Sequence, residues 1–233
     1  MPSTALRGTI EESHRIVNDP LPLPPIDLDD GAAGRILAAA REILFRERYS
    51  GLTMDGLAFA LGMSKKTLYI HFPSKDAIVA AIIATTGATI RRQVEAVLAG
   101  PDRFPGKLEG VFAIVAAQFG TMSPEFLSDL QRFAPHLNRA IDALKEHNIP
   151  LLFSRVLAMG AEQGMVRPDI DVTFLIEYWL QVIKGMHDPA VLARTGLAPR
   201  AAFEKALDLL FCGVLTPAGR AQSRWADPNG DDA

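Results

Sequence analysis

Residues 52–76, LTMDGLAFALGMSKKTLYIHFPSKD, decide the fold of this chain of 233 residues. Thr53 is a good N-cap ahead of apolar residues that repeat with helical spacing. Ser64 is a second good N-cap, and it follows a glycine that can end the preceding helix in a left-handed conformation. Pro73 ends the second helix because its ring cannot continue the hydrogen-bonding pattern. The stretch therefore predicts two short helices joined by a tight turn at residues 62–64.

A further helix is predicted just before this pair, over about residues 31–48. Ile36, Ala40, Ile43 and Leu44 recur with the period of a helix, so one face of it is apolar. A helix that braces a pair of short helices makes a tri-helical helix-turn-helix, in which the last helix reads DNA. We therefore assign a helix-turn-helix DNA-binding domain to residues 31–76.

The charge distribution supports this assignment. The whole chain carries a formal net charge of -3, which by itself disfavours a nucleic-acid binder. Residues 31–76, however, contain seven basic and four acidic residues, whereas residues 1–30 contain two basic and six acidic ones. The basic charge is thus concentrated in a segment of the size of a small DNA-binding module.

The rest of the chain is predicted to be helical, so the fold class is all-α. Helical periodicity broken by proline and glycine predicts further helices, and no stretch alternates as a strand does. We expect residues 77–216 to form a helical ligand-binding and dimerisation domain. Helices are expected at about 74–98, 107–120, 124–133, 137–163, 171–187 and 199–214, with a kink at Pro150.

The two ends of the chain differ from this pattern. Four prolines between residues 20 and 25 exclude helix and central strand, so residues 1–30 are predicted to be a flexible acidic arm. Residues 217–233 are polar and are predicted to be disordered. A single cysteine, no signal-like start and no apolar run of membrane-spanning length favour a cytoplasmic protein without a membrane segment.

The stretch from Thr67 to Lys75, TLYIHFPSK, resembles the DNA-binding domain of the tetracycline-repressor (TetR) family, and the resemblance extends over residues 34–80. It implies a dimeric regulator that binds double-stranded operator DNA. Two positions depart from the family pattern. Arg48 stands where glycine is usual, so the end of the first helix either shifts or tolerates a larger residue there. Leu61 stands where a small alanine is usual.

The resemblance assigns DNA contacts only to residues that match its motif. Caps and first-turn residues of the reading helix face bases or adjacent phosphates, and a phenol, an imidazole and an ammonium clamp the backbone. The predicted DNA-binding residues are Thr53, Ser64, Lys65, Lys66, Thr67, Tyr69, His71 and Lys75.

The resemblance also implies a ligand cavity among the middle helices and a homodimer formed by the last two long helices. Large apolar residues on these helices suit a hydrophobic effector, with a few polar groups to orient it. The predicted ligand-binding residues are Phe112, Phe119, Phe126, Arg155 and Tyr178, with Gln118 and Glu177 as further polar candidates.

Two other kinds of protein were weighed. An enzyme is disfavoured because the five histidines are scattered and no catalytic or phosphate-binding motif is present, so we expect no cofactor and no metal. The alternative is a helical small-molecule-binding or dimerisation module without sequence-specific DNA binding. The intact Lys-Lys-Thr-x-Tyr-x-His set disfavours that alternative. The sequence thus predicts a ligand-responsive transcriptional regulator, a repressor released from a palindromic operator by a small molecule.

Overall fold

The computed structural model describes residues 31–119, 123–186 and 188–224, with the side chain of Phe119 left out. The predicted acidic arm, residues 1–30, lies outside the described residues. Within the described part, the chain is a succession of helices. In chain order they are α1 (Ala32–Gly51), α2 (Met54–Ala60), α3 (Lys65–His71), α4 (Lys75–Ala99), α5 (Phe104–Phe119), α6 (Pro124–Phe133), α7 (Pro135–Glu162), α8 (Val172–Gly185), α9 (Pro189–Thr195), α10 (Pro199–Val214) and α11 (Pro217–Ala221).

The helices predicted from periodicity are confirmed, most of them to within a few residues. The helix α6 has the predicted bounds, and α7 runs through Pro150 as one helix of 28 residues. The short helix α9 is absent from the sequence-based prediction, in which Pro189 only breaks a helix. Asp188 caps that helix with Pro189 at its first position, and Gly196 ends it in the left-handed conformation.

The prediction that residues 217–233 are disordered is wrong for residues 217–224. Leu215 pairs with Val166 in an antiparallel bridge, and the Thr216 backbone N–H donates to Met165 O at 2.9 Å. Thr216 then caps α11 through Gly219 N, and the backbone of Gly219 packs directly on that of Met165. A side chain at position 219 would collide there, so glycine permits the close approach.

The end of α1 has an unusual backbone. Arg48 adopts φ 65° and ψ -174°, a conformation that glycine occupies readily and residues with a Cβ rarely do. Of the two outcomes that the sequence left open, the helix end therefore tolerates the larger residue rather than shifting. The turn at Arg48 directs Tyr49 and Leu52 inward, where both side chains are buried.

The buried side chains form two large clusters. One combines residues of α1, α2, α3 and the first half of α4 with Leu130 of α6 and Leu137 and Ile141 of α7. The other lies between the second half of α4 and the helices α5, α7, α8 and α10. The first cluster thus continues from the helix-turn-helix into the helices beyond it. None of the helices in the described part is both long and apolar enough to cross a membrane.

Candidate DNA interface and ligand cavity

The reading head consists of α2 and α3, each begun by a side-chain cap. The Thr53 hydroxyl accepts from Gly56 N at 3.0 Å, and the Ser64 hydroxyl accepts from Thr67 N at 3.1 Å. Ser64 Oγ also lies 2.8 Å from Thr67 Oγ1. The Ser64 and Thr67 hydroxyls have one proton each, and the hydrogen bond between them uses only one of the two. The other proton remains available for a hydrogen bond to another molecule.

The predicted DNA-contacting side chains lie mostly on the surface of this head. Lys65 and Lys66 are exposed in the first turn of α3, and His71 is exposed at its end. Half of the Tyr69 side chain is exposed, whereas Leu68 beside it is completely buried in the core. The helix α3 thus has one buried face, and its outer face carries exposed donor groups of the kind that bind bases and phosphates.

Two residues on this surface were missed by the sequence analysis. Asp55 of α2 forms an ion pair with Lys65 of α3, with 2.7 Å between Oδ2 and Nζ, and both side chains are largely exposed. Ile70 is 72% exposed and lies one helical turn after Lys66. Charge and periodicity in the sequence identify neither residue. The ion pair of Asp55 depends on how α2 packs against α3, and the exposure of Ile70 depends on which face of α3 is buried.

Lys75 does not extend freely into solvent. Its ammonium group lies 4.0 Å from the centre of the Tyr49 ring and 3.4 Å from the Tyr49 carbonyl oxygen. This cation–π contact and hydrogen bond hold the side chain at the end of α1. Lys75 is partly exposed, so its remaining N–H groups are available to a phosphate.

A polar junction connects the end of α1, the helix that braces the reading head, to α4, α6 and α7. The Tyr49 hydroxyl donates to Asp76 Oδ1, and Asp76 Oδ2 lies 2.9 Å from His136 Nε2 of α7. The Ser50 backbone N–H donates to Asp129 Oδ2 of α6 at 2.7 Å. Burial, together with the bond to Asp76, raises the pKa of the Tyr49 phenol above its usual range. The phenol therefore stays protonated as a donor at neutral pH.

A cavity of about 240 Å³ lies among the helices that follow. Most of its wall is apolar and is contributed by α4, α5, α7 and α8. The helix α1 also contributes, through Arg41, Leu44 and Phe45, so the cavity reaches the helix that braces the reading head. Apolar walls with a few polar groups are typical of sites for small molecules.

Five polar side chains line this cavity: Arg41, Thr86, Gln118, Lys145 and Asn148. Burial lowers the pKa of both Arg41 and Lys145. Lys145 donates to Asp142 at 3.0 Å, whereas no ion pair within 4.0 Å is found for Arg41 in the described part. The two charged groups on the wall are thus both cationic.

Asn148 has an unusual environment. Its side chain is 7% exposed, and its Nδ2 donates to the carbonyl oxygen of Gly87 at 3.3 Å. Its Oδ1 is buried without a hydrogen-bond partner among the described residues. Turning the amide over would place two acceptors against each other, so the bond to Gly87 determines which atom remains unpaired.

The predicted ligand-binding residues are only partly brought together. Phe112, Phe126 and Gln118 line the cavity. The side chain of Phe119 lies outside the described part of the structure. Arg155 does not line it: the guanidinium is half exposed and lies 3.7 Å from Glu95. Tyr178 and Glu177 face outward on α8. Arg155, Tyr178 and Glu177 therefore lie outside the wall of this cavity.

Tyr178 belongs instead to an apolar outer surface. It stacks on Phe174 one turn earlier, with 6.3 Å between ring centres, and Phe174 is 69% exposed. On α10, Leu209 is 81% exposed. The opposite faces of these helices, including Trp179 and Phe211, are buried in the core. Both helices therefore have one face in the core and apolar residues on the other.

The described residues contain no group of three histidine, cysteine, aspartate or glutamate side chains placed to hold a metal ion. The geometry instead combines a small basic helix-turn-helix with a helical body that encloses an apolar cavity. That combination defines a DNA-binding transcriptional regulator.

Comparisons with known proteins agree. Residues 36–82 match the family described as "Bacterial regulatory proteins, tetR family". The chain is 25% identical over 187 residues to the HTH-type transcriptional regulator UidR of Escherichia coli K12, covering 78% of this chain and 92% of that protein. It is 26% identical over 190 residues to EthR of Mycolicibacterium smegmatis, covering 67% and 88%.

The fold also matches solved structures. SmeT, the repressor of the Stenotrophomonas maltophilia multidrug efflux pump SmeDEF, superposes with a TM-score of 0.60 at 15% identity, covering 85% of this chain and 98% of that one. The match over residues 36–82 and the similarity to these regulators support a DNA-binding transcriptional regulator of the TetR type. Proteins of that type bind operator DNA and small-molecule effectors and are not enzymes.

Proposed function

We propose that this protein is a repressor that binds a palindromic operator as a homodimer and is released by a small hydrophobic molecule. The observation that carries the proposal is the cavity wall. Arg41, Leu44 and Phe45 belong to α1, so a ligand in the cavity touches the helix that supports the reading head. Ligand occupancy of the cavity and the position of α2 and α3 are therefore linked through α1.

The DNA contacts are assigned to the outer face of the reading head. Lys65, Lys66 and Thr67 face base edges or adjacent phosphates at the start of α3, and Ile70 faces the groove one turn later. The caps Thr53 and Ser64 remain able to donate to phosphates while they accept from backbone N–H groups. Phosphate contacts through donor groups are assigned to Tyr69, His71 and Lys75.

Dimerisation is assigned to the outward faces of α8 and α10. Phe174, Tyr178 and Leu209 are exposed apolar residues on these faces. Such residues are stabilised when a second copy covers them, and a two-fold axis buries the same surface on both partners. A dimer of this kind presents two reading heads to two half-sites of a palindrome.

The switch is a competition between two arrangements of the same dimer. A ligand that prefers the arrangement with badly spaced reading heads weakens DNA binding by the ratio of its affinities for the two arrangements. Linkage requires that DNA weaken ligand binding by the same factor. The apolar cluster shared by α1, α6 and α7 transmits the change, because it has no boundary between the head and the body.

Selection of bound duplexes from a random library tests the DNA-binding part. The full chain is expected to enrich an inverted repeat, and protein with Lys65 and Lys66 both changed to alanine is expected to enrich none. A matched control changes Arg103, in the loop between α4 and α5, and Arg194, on α9, to alanine; both are exposed and lie outside the reading head and the faces of α8 and α10. Failure of the unmodified chain to enrich any sequence would favour a helical binding module without specific DNA recognition.

The oligomeric state is tested by light scattering coupled to size-exclusion chromatography. The unmodified chain is expected to elute with the mass of two chains, and Phe174→Glu combined with Leu209→Glu is expected to elute with the mass of one. The control Phe59→Glu changes an equally exposed aromatic residue on α2 and keeps the dimer. A dimer that survives the double change would remove the assignment to these faces.

A further inference from the structure

The cavity carries information about the chemistry of its ligand, and that information lies in its few polar groups. We propose that the effector is an apolar acid whose negative charge pairs with Arg41 on the cavity wall, and whose hydroxyl or N–H group donates to Asn148 Oδ1. This inference rests on the proposed function, because it names the ligand class of the same cavity.

The first observation is the unpaired oxygen of Asn148. A buried acceptor without a partner is destabilising, and a ligand that supplies a donor removes that penalty. The bond from Nδ2 to the Gly87 carbonyl orients the amide, so the atom left without a partner is the acceptor oxygen, on a residue that lines the cavity. A hydroxyl or an amide N–H satisfies it, whereas an ether, ester or ketone oxygen in the same place repels it.

The second observation is the charge of the wall. No acidic residue contributes to the described cavity wall, which contains Arg41 and Lys145 as its charged groups. Lys145 is already paired with Asp142, but the half-buried guanidinium of Arg41 has only its chain neighbour Glu42 as a nearby opposite charge. A carboxylate pairs well with a guanidinium, in two parallel hydrogen bonds, and it restores the stabilisation that Arg41 loses on burial.

The third observation is the spacing of these groups. Lys145 and Asn148 are three residues apart on α7, so they are neighbours on the same face of that helix. The Lys145 side chain and the unpaired acceptor of Asn148 therefore start about one helical turn apart. The apolar remainder of the ligand lies among side chains such as Leu152, Phe153 and Trp179 further along the cavity.

Because Arg41 belongs to α1 and Lys145 and Asn148 belong to α7, one acid bound in this way bridges the two helices. The acidic end of the ligand then acts on the reading head through α1, and its apolar end supplies binding affinity. Apolar molecules without the acid are expected to bind more weakly and to release DNA poorly.

Four probes separate these contributions: β-hydroxydecanoate, decanoate and the methyl ester of each. Their affinities for the full chain without DNA are measured by isothermal titration calorimetry. We expect β-hydroxydecanoate to bind most tightly, with losses of roughly tenfold on removing the hydroxyl and roughly tenfold on esterifying the acid. Equal affinities for the four probes, or no binding by any of them, would overturn the proposal.

Variants assign each loss to a residue. Asn148→Leu keeps the shape of the side chain and is expected to abolish the advantage of the hydroxyl while the acid keeps its advantage. Arg41→Met is expected to abolish the advantage of the acid and keep that of the hydroxyl. The controls Asn138→Leu on α7 and Arg46→Met on α1 change residues outside the cavity wall, so both advantages persist. A hydroxyl advantage that survives Asn148→Leu contradicts the assignment.

The results for ligand binding and for DNA selection can be told apart. A chain that enriches an inverted repeat but shows none of these preferences retains its function as a regulator and loses this ligand class. A chain that shows the preferences but enriches no DNA sequence retains the ligand class and loses the regulatory function.

Discussion

The hydroxyl of Tyr49 donates a hydrogen bond of 2.5 Å to Oδ1 of Asp76, and this bond joins the end of α1 to the start of α4. Tyr49 is buried, and the other carboxylate oxygen of Asp76, Oδ2, lies 2.9 Å from His136 Nε2 of α7. One carboxylate therefore ties the last residues of the bracing helix to two helices of the body. The bond is suited to transmit a shift of α4 or α7 to the reading head.

Tyr49→Phe removes this donor and leaves the ring in place. We expect the free energy of unfolding at neutral pH to fall by about 1 kcal/mol, because a partly buried acceptor loses its partner. The effect depends on pH in a definite direction. The pKa of the phenol is raised above its ordinary value of 10.0, so its contribution is complete below pH 10 and is lost as the pH rises further.

Urea unfolding of the two proteins, from pH 7 to the highest pH at which the fold survives, measures both quantities. The difference between them should be constant up to about pH 10 and should shrink above it. Tyr69→Phe is the matched control, since that phenol is half exposed and lies outside the junction. A difference that grows with alkaline pH would contradict the assigned role.

The strained residue at the end of α1 offers a stabilising substitution. Arg48→Gly is expected to raise the free energy of unfolding by about 1 kcal/mol, because glycine adopts a positive φ without the clash of a Cβ. The gain is the released strain less the additional chain entropy that glycine must lose on folding.

Arg46→Gly, two residues earlier, provides the control. Arg46 is exposed and helical, so glycine there is expected to destabilise by about 1 kcal/mol. Thermal unfolding of the three proteins should therefore place them in the order Arg48→Gly, unmodified chain and Arg46→Gly. A loss of stability in Arg48→Gly would mean that the arginine side chain contributes more than its backbone costs.

The fold was predictable from the sequence because its signals are local. The caps Thr53 and Ser64 and the break at Pro73 set α2 and α3 within the chain itself. The short helices α9 and α11 have equally local signals, Asp188-Pro189 and Thr216-Pro217, but a proline that follows a helix indicates a break as readily as the start of a new helix.

The ligand site was less predictable because its residues come from different helices. Arg41 and Asn148 meet the same cavity only through the packing of α1 near α7. Tyr178 shows how a helix face misleads: its neighbour Trp179 points into the core and Tyr178 points out of it. Periodicity locates an apolar stripe, whereas tertiary packing decides which edge of that stripe lines a cavity.

We expect the ion pair between Asp55 and Lys65 to limit the affinity for DNA. Asp55→Asn removes a negative charge from the DNA-facing surface and frees Lys65 to contact a phosphate. We expect tighter binding at low salt, and a plot of log affinity against log salt that is steeper by about 0.9 for one added phosphate contact. Because both side chains are exposed, the stability of the fold should hardly change.

Fluorescence anisotropy with the selected duplex, at several salt concentrations, measures this slope. Asp102→Asn removes an equally exposed carboxylate from the loop between α4 and α5, so it changes the net charge by the same amount. A purely global charge effect would raise the affinity of both variants alike. Equal slopes for Asp55→Asn and the unmodified chain would remove Lys65 from the set of phosphate contacts.

The helices α4 and α7 pack tightly at Gly87, where a Cβ would lie 2.3 Å from Leu144 Cδ1. Gly87→Ala therefore forces the Leu144 side chain to move, and the adjacent cavity is the open space into which it can turn. We expect the free energy of unfolding to fall by roughly 1 to 2 kcal/mol. We also expect weaker binding of decanoate, because Leu144 then occupies part of the ligand volume.

A double-mutant cycle isolates this contact. Leu144→Ala removes the atoms that the new methyl group would meet, so adding Gly87→Ala to that variant should no longer destabilise the protein and should stabilise the helix slightly. Gly185→Ala on α8 is the reference for a helical glycine with open space around it, and it should stabilise as well. If Gly87→Ala is equally destabilising with and without Leu144, the close approach of α4 and α7 has another origin than this pair.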